Sequence, residues 1–204
     1  MVERSTSTSK ESGKAIIALH GWTGNLTSMK PVANALKIEN TAWFFLQGPF
    51  VIKEGGYSWF EGNEETGWKY QESFDLLNKM ISNLNEQDFP NQKIFILGFS
   101  QGACLAMEYI IRQEFSIGGI IPIAGFIGYK DRFKNDILSE NRNTPVLLIH
   151  GNKDRVVLPE ESIIAHRLFS EAGFRAELHT LSAGHKVPIQ AKKLIENLIG
   201  NSDD

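Results

Sequence analysis

Short apolar runs alternate with amphipathic stretches along almost the whole chain, and this alternation restricts the fold more than any other feature. KAIIALH (Lys14 to His20), TAWFFLQ (Thr41 to Gln47), KIFILG (Lys93 to Gly98), IGGIIPIAG (Ile117 to Gly125), PVLLIHG (Pro145 to Gly151) and FRAELHTL (Phe174 to Leu181) read as strands. Between them lie stretches with helical spacing: Met29 to Lys37, Gln101 to Gln113, Glu160 to Gly173, and about Pro188 to Ile199. From Tyr70 onward, Phe74, Leu77, Ile81 and Leu84 form the stripe of another amphipathic helix, which Pro90 and Asn91 end. Gly173 stands where a left-handed residue would close the helix before it. Strands and helices in strict alternation predict an α/β fold, a mainly parallel sheet of about six strands with helices on both faces. Ligands of such sheets bind at the carboxyl ends of the strands, so chemistry is to be sought in the residues just after them.

Two segments break the rhythm. Residues 48 to 68, rich in glycine and aromatics, read as a long loop, and residues 126 to 143 as a charged, irregular excursion. The polar start reads as a flexible tail over 1–14, leaving one domain over 15–204. With 42% hydrophobic and 22% charged residues the composition is that of an ordinary globular domain. The net charge is −3 with both signs scattered, so no basic tract marks a nucleic-acid partner. No apolar run reaches the ~20 residues of a membrane span, so no stable membrane insertion is expected. The first fourteen residues lack the apolar core of a secretory signal, which makes a cytoplasmic location the expectation. The single cysteine, Cys104, excludes an internal disulfide and supplies too few thiolates for a cysteine-rich zinc site.

The strongest local signal is GFSQG, Gly98 to Gly102. Five residues of this composition arise by chance, and an ordinary glycine-rich turn with an N-capping serine is the alternative. Here a strand precedes the motif and a helix follows it, the context of a tight strand-to-helix turn that presents a serine. Such a turn strains the central residue, and the flanking glycines remove the clashes. Ser100 is thus the candidate nucleophile. A hydroxyl needs a base, and the base needs an acid to fix its tautomer; on this kind of sheet the chain order is serine, acid, histidine. Asp154 follows the strand that ends in His150, and His185 follows the next strand in LSAGHK. The other acids fit less well: Asp131 and Asp136 lie in the excursion, and Glu160 and Glu161 begin a helix. His166 falls within a helix and His179 within a strand, while His150 reads as a structural histidine. Donors for an oxyanion are expected from the backbone N–H of Gln101 and from that of Trp22, in the glycine-containing HGWTGN loop. That loop has a bland reading as well, a plain glycine turn with a packed indole.

These segments resemble one family. ALHGWTGN, YSWFEG, GFSQGACLA, HGNKDRVV and SAGHKVP together, in order over residues 15 to 200, are similar to the phospholipase/carboxylesterase family of small α/β-hydrolases that includes the acyl-protein thioesterases. The resemblance implies an α/β-hydrolase fold, Ser100, Asp154 and His185 as catalytic residues, and Trp22 and Gln101 as oxyanion donors. It also implies that Trp59 and Phe60 line the acyl pocket. Thioesterase relatives usually carry Leu-Gly-Asp after His-Gly, whereas this chain has Trp22, Thr23, Gly24 and Asn25. The Trp22 indole is thereby expected either to pack beneath its loop or to wall the pocket. Trp68, Phe50 and Phe126 are further candidates for that pocket, and Cys104 reads as a small buried hydrophobe.

The expected activity is hydrolysis of carboxylic esters or thioesters through an acyl-enzyme on Ser100, with no metal or organic cofactor. A lysophospholipase of the same family is the alternative substrate class, and a catalytically silent α/β-hydrolase scaffold is the alternative of another kind. The expected partner is a small-molecule or acylated ester or thioester substrate, bound by a monomer or homodimer.

Overall fold

A computed structural model describes residues 2–6, 13–53, 55–63 and 67–200. In chain order its elements begin with β1 (Val2–Thr6), β2 (Lys14–Leu19), α1 (Lys30–Leu36) and β3 (Thr41–Leu46). Four short strands follow, β4 (Phe50–Val51), β5 (Tyr57–Ser58), β6 (Glu61–Asn63) and β7 (Gly67–Lys69). Then come α2 (Gln71–Asn85), β8 (Ile94–Phe99), α3 (Gln101–Ile110), β9 (Gly119–Ile123) and α4 (Phe133–Asp136). The chain closes with β10 (Val146–Gly151), α5 (Pro159–Glu171), β11 (Ala176–Leu181) and α6 (Ala191–Gly200).

Seven strands form the main sheet in the order β1-β3-β2-β8-β9-β10-β11. From β3 to β11 all neighbours are parallel, and these six are the runs read from the sequence. Successive residues of a strand point to opposite faces, which sorts the apolar residues into two cores. Ile17, Phe44, Ile96 and Leu148 face one side, where Leu77 and Ile81 of α2, Leu105 of α3 and Phe169 of α5 cover them. Ile16, Phe45, Leu97 and Ile149 face the other, under Leu36 of α1 and Ile195 and Ile199 of α6. Burial on both sides explains why these strands are apolar throughout instead of alternating. Gly173 takes a φ of 90° just after α5, the left-handed conformation expected of it.

Three expectations need correction. Residues 2–6, read as part of a tail, pair antiparallel with β3 at the sheet edge, Val2 opposite Leu46 and Thr6 opposite Ala42. An edge strand needs only its backbone to pair, so a polar segment can join without an apolar pattern. The rest of that tail, residues 1 and 7–12, lies outside the described residues. The stretch 48–68 is no plain loop: β4 pairs with β5 and β6 with β7 as two small antiparallel ribbons. Inside the excursion at 126–143, α4 makes one short helix, with Phe133 fully buried against Phe169.

Candidate active site

The turn from β8 to α3 places Ser100 at a φ of 53° and a ψ of −113°. A non-glycine residue there stores strain of about 1–3 kcal/mol and persists only where its surroundings hold it. Here the Ser100 N–H donates to Ile123 O at 2.9 Å, and the Ala103 and Cys104 amides donate to Ser100 O at 3.0 and 3.1 Å. The flanking glycines are steric necessities. A Cβ on Gly98 would stand 2.3 Å from Gly102 O, and one on Gly102 would stand 2.5 Å from Leu19 O.

Ser100, Asp154 and His185 meet although they come from three separate strand ends. Asp154 Oδ1 accepts the Val156 and Val157 amides at 2.9 and 3.1 Å, and Oδ2 lies 2.7 Å from His185 Nδ1. Burial of Asp154 pushes its carboxyl up, but the His185 hydrogen bond and the two amides outweigh this and hold it below the usual carboxylate range. An ionised Asp154 only accepts, so His185 Nδ1 carries a proton. In the neutral imidazole Nε2 is then a bare acceptor, 3.0 Å from Ser100 Oγ. The Phe99 ring, 4.8 Å between centroids, supports the imidazole from the side. His150, read as structural, is buried: Ser162 Oγ donates to its Nδ1 at 2.5 Å, and its Nε2 donates to Val157 O at 2.9 Å. It thereby braces the loop that carries Asp154.

The N–H groups of Trp22 and Gln101 donate to no acceptor among the described residues. Gly21 lies against the serine, since a Cβ added to it would stand 3.5 Å from Ser100 Cβ. The Trp22 indole is 63% exposed, so it is not packed beneath its loop.

Trp59 does not line a pocket. It is fully buried, and every polar group it owns is taken: the indole N–H donates to His20 O at 2.7 Å, the amide to Gln101 Oε1 at 3.1 Å, and Ser73 Oγ donates to its carbonyl at 2.5 Å. Phe60, 6% exposed, packs between Trp68 and Tyr70 at 5.4 and 4.7 Å. Both aromatics pin the ribbon segment to the body, which leaves neither an open face for a ligand. A cavity of about 600 Å³ is lined instead by Trp68, Phe126, Val156 and Leu158, with Lys130 and Glu161 beside them. Lys130 Nζ and Glu161 are 2.8 Å apart. Trp68 and Phe126 were pocket candidates from the sequence; Phe50 does not line it. Sequence reasoning missed the Gln101 side chain, whose Nε2 donates to Ser58 Oγ at 2.7 Å. The signal was a long polar side chain directly after the nucleophile, buried in a helix whose other residues, Glu108 apart, are apolar or small.

A parallel sheet wrapped by helices, with serine, histidine and acid on three strand ends and the serine on a strained elbow, defines an α/β-hydrolase. Within that class the comparisons are specific. The chain belongs to the phospholipase/carboxylesterase family, whose model matches residues 3–200. Acyl-protein thioesterase 1 of Debaryomyces hansenii is 27% identical over 201 residues, covering 87% of this chain and 85% of its own. Carboxylesterase SOBER1 of Arabidopsis thaliana is also 27% identical over 201 residues, covering 90% of this chain and 88% of its own. The crystal structure of SOBER1 superimposes with a TM-score of 0.81 at 24% identity, covering 94% of this chain and 99% of that one. Esterase PE8 gives 0.83 at 22% identity, covering 98% and 97%.

Proposed function

We propose that this chain is a serine hydrolase that cleaves carboxylic esters or thioesters through an acyl-enzyme on Ser100. The observation that carries the reading is the continuous hydrogen-bonded line from Asp154 through His185 to Ser100, 2.7 Å and then 3.0 Å. His185 Nε2 takes the Ser100 proton as Oγ attacks the substrate carbonyl. The negative charge on the carbonyl oxygen is met by the Trp22 and Gln101 amides, which have no internal acceptor among the described residues. As the tetrahedral intermediate collapses, His185 passes its proton to the leaving alcohol or thiol. Water then attacks the ester on Ser100 while His185 accepts its proton. On collapse His185 returns that proton to Ser100 Oγ as the C–Oγ bond breaks and the carboxylic acid leaves. Asp154 orients the imidazole and stabilises its charged form throughout. The cavity beside Trp68 and Phe126 offers the acyl group an apolar wall. One catalytic domain is proposed, the span from residue 15 onward together with the paired strand Val2–Thr6.

A fluorophosphonate probe tests this directly, because it reacts only with an activated serine. Wild-type protein takes up one probe per chain on Ser100, and Ser100→Ala takes up none and loses hydrolysis of p-nitrophenyl esters while keeping its thermal transition. Hydrolysis by Ser100→Ala within tenfold of wild type overturns the assignment.

A further inference from the structure

A backbone N–H serves a developing oxyanion well only if its peptide plane is already aimed. The Trp22 N–H belongs to the Gly21–Trp22 peptide, and Gly21 is the residue type least able to hold a plane by itself. In a trans peptide the C=O points away from the N–H, so whatever grips the Gly21 carbonyl aims the Trp22 amide. Two donors grip it: the Gly24 amide at 3.0 Å and the His20 ring nitrogen Nδ1 at 2.7 Å. The direction of the second bond follows from the other ring nitrogen. The Gly48 N–H donates to His20 Nε2 at 3.0 Å, so Nε2 holds the lone pair and Nδ1 the proton.

The imidazole is built in tightly. It is fully buried and lies 4.7 Å from the Trp59 indole. A Cβ on Gly24 would stand 2.6 Å from Nδ1, so the second glycine of HGWTG is there to admit the ring. Burial lowers the pKa of His20, which keeps the ring in the neutral form that both bonds require. From the far side Trp59 donates its indole N–H to His20 O and its amide to Gln101 Oε1, joining the two segments that carry the free amides.

We propose that His20 is a positioning residue of the oxyanion hole, gripping the Gly21 carbonyl so that the Trp22 N–H faces the reacting carbon's oxygen, with Trp59 as the bridge to Gln101. This rests on the acyl-transfer reading. His20 touches no substrate and transfers no proton to it; its effect passes through one peptide plane. That separates it from Asp154 and His185, which act on the nucleophile.

The test compares His20→Leu, which removes both ring bonds, with His20→Gln, whose side chain carries one acceptor and one donor, and with Trp59→Phe. Each is assayed for kcat and KM on a soluble p-nitrophenyl ester. Each is also assayed for affinity toward a trifluoromethyl ketone, whose adduct with Ser100 carries an oxyanion, and toward the matching alcohol, which carries none. His20→Leu should lower kcat by about ten- to a hundredfold at nearly constant KM. Ketone binding should weaken by a similar factor and alcohol binding stay within about twofold, since a lost transition-state contact spares the ground state. His20→Gln recovers most of the loss, and Trp59→Phe shows a smaller loss of the same kind. An unchanged ketone-to-alcohol ratio in folded His20→Leu, or in Trp59→Phe where His20→Leu does not fold, overturns the proposal. Wild-type protein that fluorophosphonate does not label removes the acyl-transfer reading itself, whereas labelled protein with unchanged ratios removes only the role of His20.

Discussion

Alanine at Gly102 is the smallest change that asks whether the elbow's geometry, as well as its serine, sets activity. The added methyl would stand 2.5 Å from Leu19 O and 2.6 Å from His20 O, against an ordinary contact that begins at 3.4 Å. Both neighbours are backbone at the end of β2, so neither can rotate away. The start of α3 and the end of β2 must therefore separate by the difference, about 0.9 Å. Overpacking of this kind costs about 1–3 kcal/mol. For a chain of this size each kilocalorie lowers Tm by about 2–4 °C, so a drop of several degrees is expected. The larger effect is on geometry. Ser100 moves with α3 while His185 sits on another loop, so their 3.0 Å contact opens beyond hydrogen-bond reach. A misplacement near 1 Å costs about a hundredfold in rate. The assay is kcat/KM on a p-nitrophenyl ester, read beside thermal denaturation of the same preparation. A Gly102→Ala protein with unchanged Tm and kcat/KM within threefold of wild type refutes the reasoning.

Three further perturbations follow from particular contacts. Glu108 is fully buried; its Oε1 accepts the Gly128 and Tyr129 amides at 2.8 and 3.1 Å, and its Oε2 meets Arg112 at 2.7 Å. Glu108→Ala strands these donors at about 3–5 kcal/mol, roughly a 10 °C loss in thermal denaturation, while Glu108→Gln, still able to accept, loses less. Trp22→Leu leaves Tm within about 2 °C, because an indole 63% exposed contributes little packing; a loss of 5 °C or more contradicts its placement. Acid weakens the fold in two stages. The value of His20 is lowered on folding by burial, so the unfolded chain takes up that proton first and stability declines as pH falls below about 6.5. The value of Asp154 is also lowered, against its burial, by His185 and two amides, so its contribution is present above about pH 4 and lost below. Urea midpoints at pH 7, 5.5 and 3.5 should fall stepwise, with the first step smaller in His20→Gln; a rise from pH 7 to 5.5 contradicts the sign.

How far the sequence could be read depended on which part of a residue does the work. The six parallel strands were legible because burial on both faces demands continuous apolar side chains. The edge strand Val2–Thr6 was not, because pairing with β3 uses backbone groups that every residue has. Ser100, Asp154 and His185 were legible because tight turns restrict which residues can stand at strand ends. Their distances were not: 2.7 and 3.0 Å depend on loops from β8, β10 and β11 arriving together.

Trp59 shows where reading from residue type reverses itself. An aromatic in a glycine-rich segment beside a site suggests a surface offered to an apolar ligand. An indole also has one N–H that must find an acceptor when buried; here the His20 carbonyl supplies it, while Gln101 Oε1 accepts the backbone amide and Ser73 Oγ donates to the carbonyl. With its indole N–H, amide and carbonyl each satisfied at 3.1 Å or less, Trp59 gains more as a strut than as a wall. The same exchange runs through the HGWTG loop. There the bulky side chain read from the sequence as either packed beneath its loop or walling the pocket, Trp22, points outward, and the small polar ring of His20 is the one enclosed. Size alone favours burying the indole. Hydrogen bonding decides otherwise, because this loop must fix a peptide plane beside Ser100, and an imidazole can hold a carbonyl and accept an amide at once.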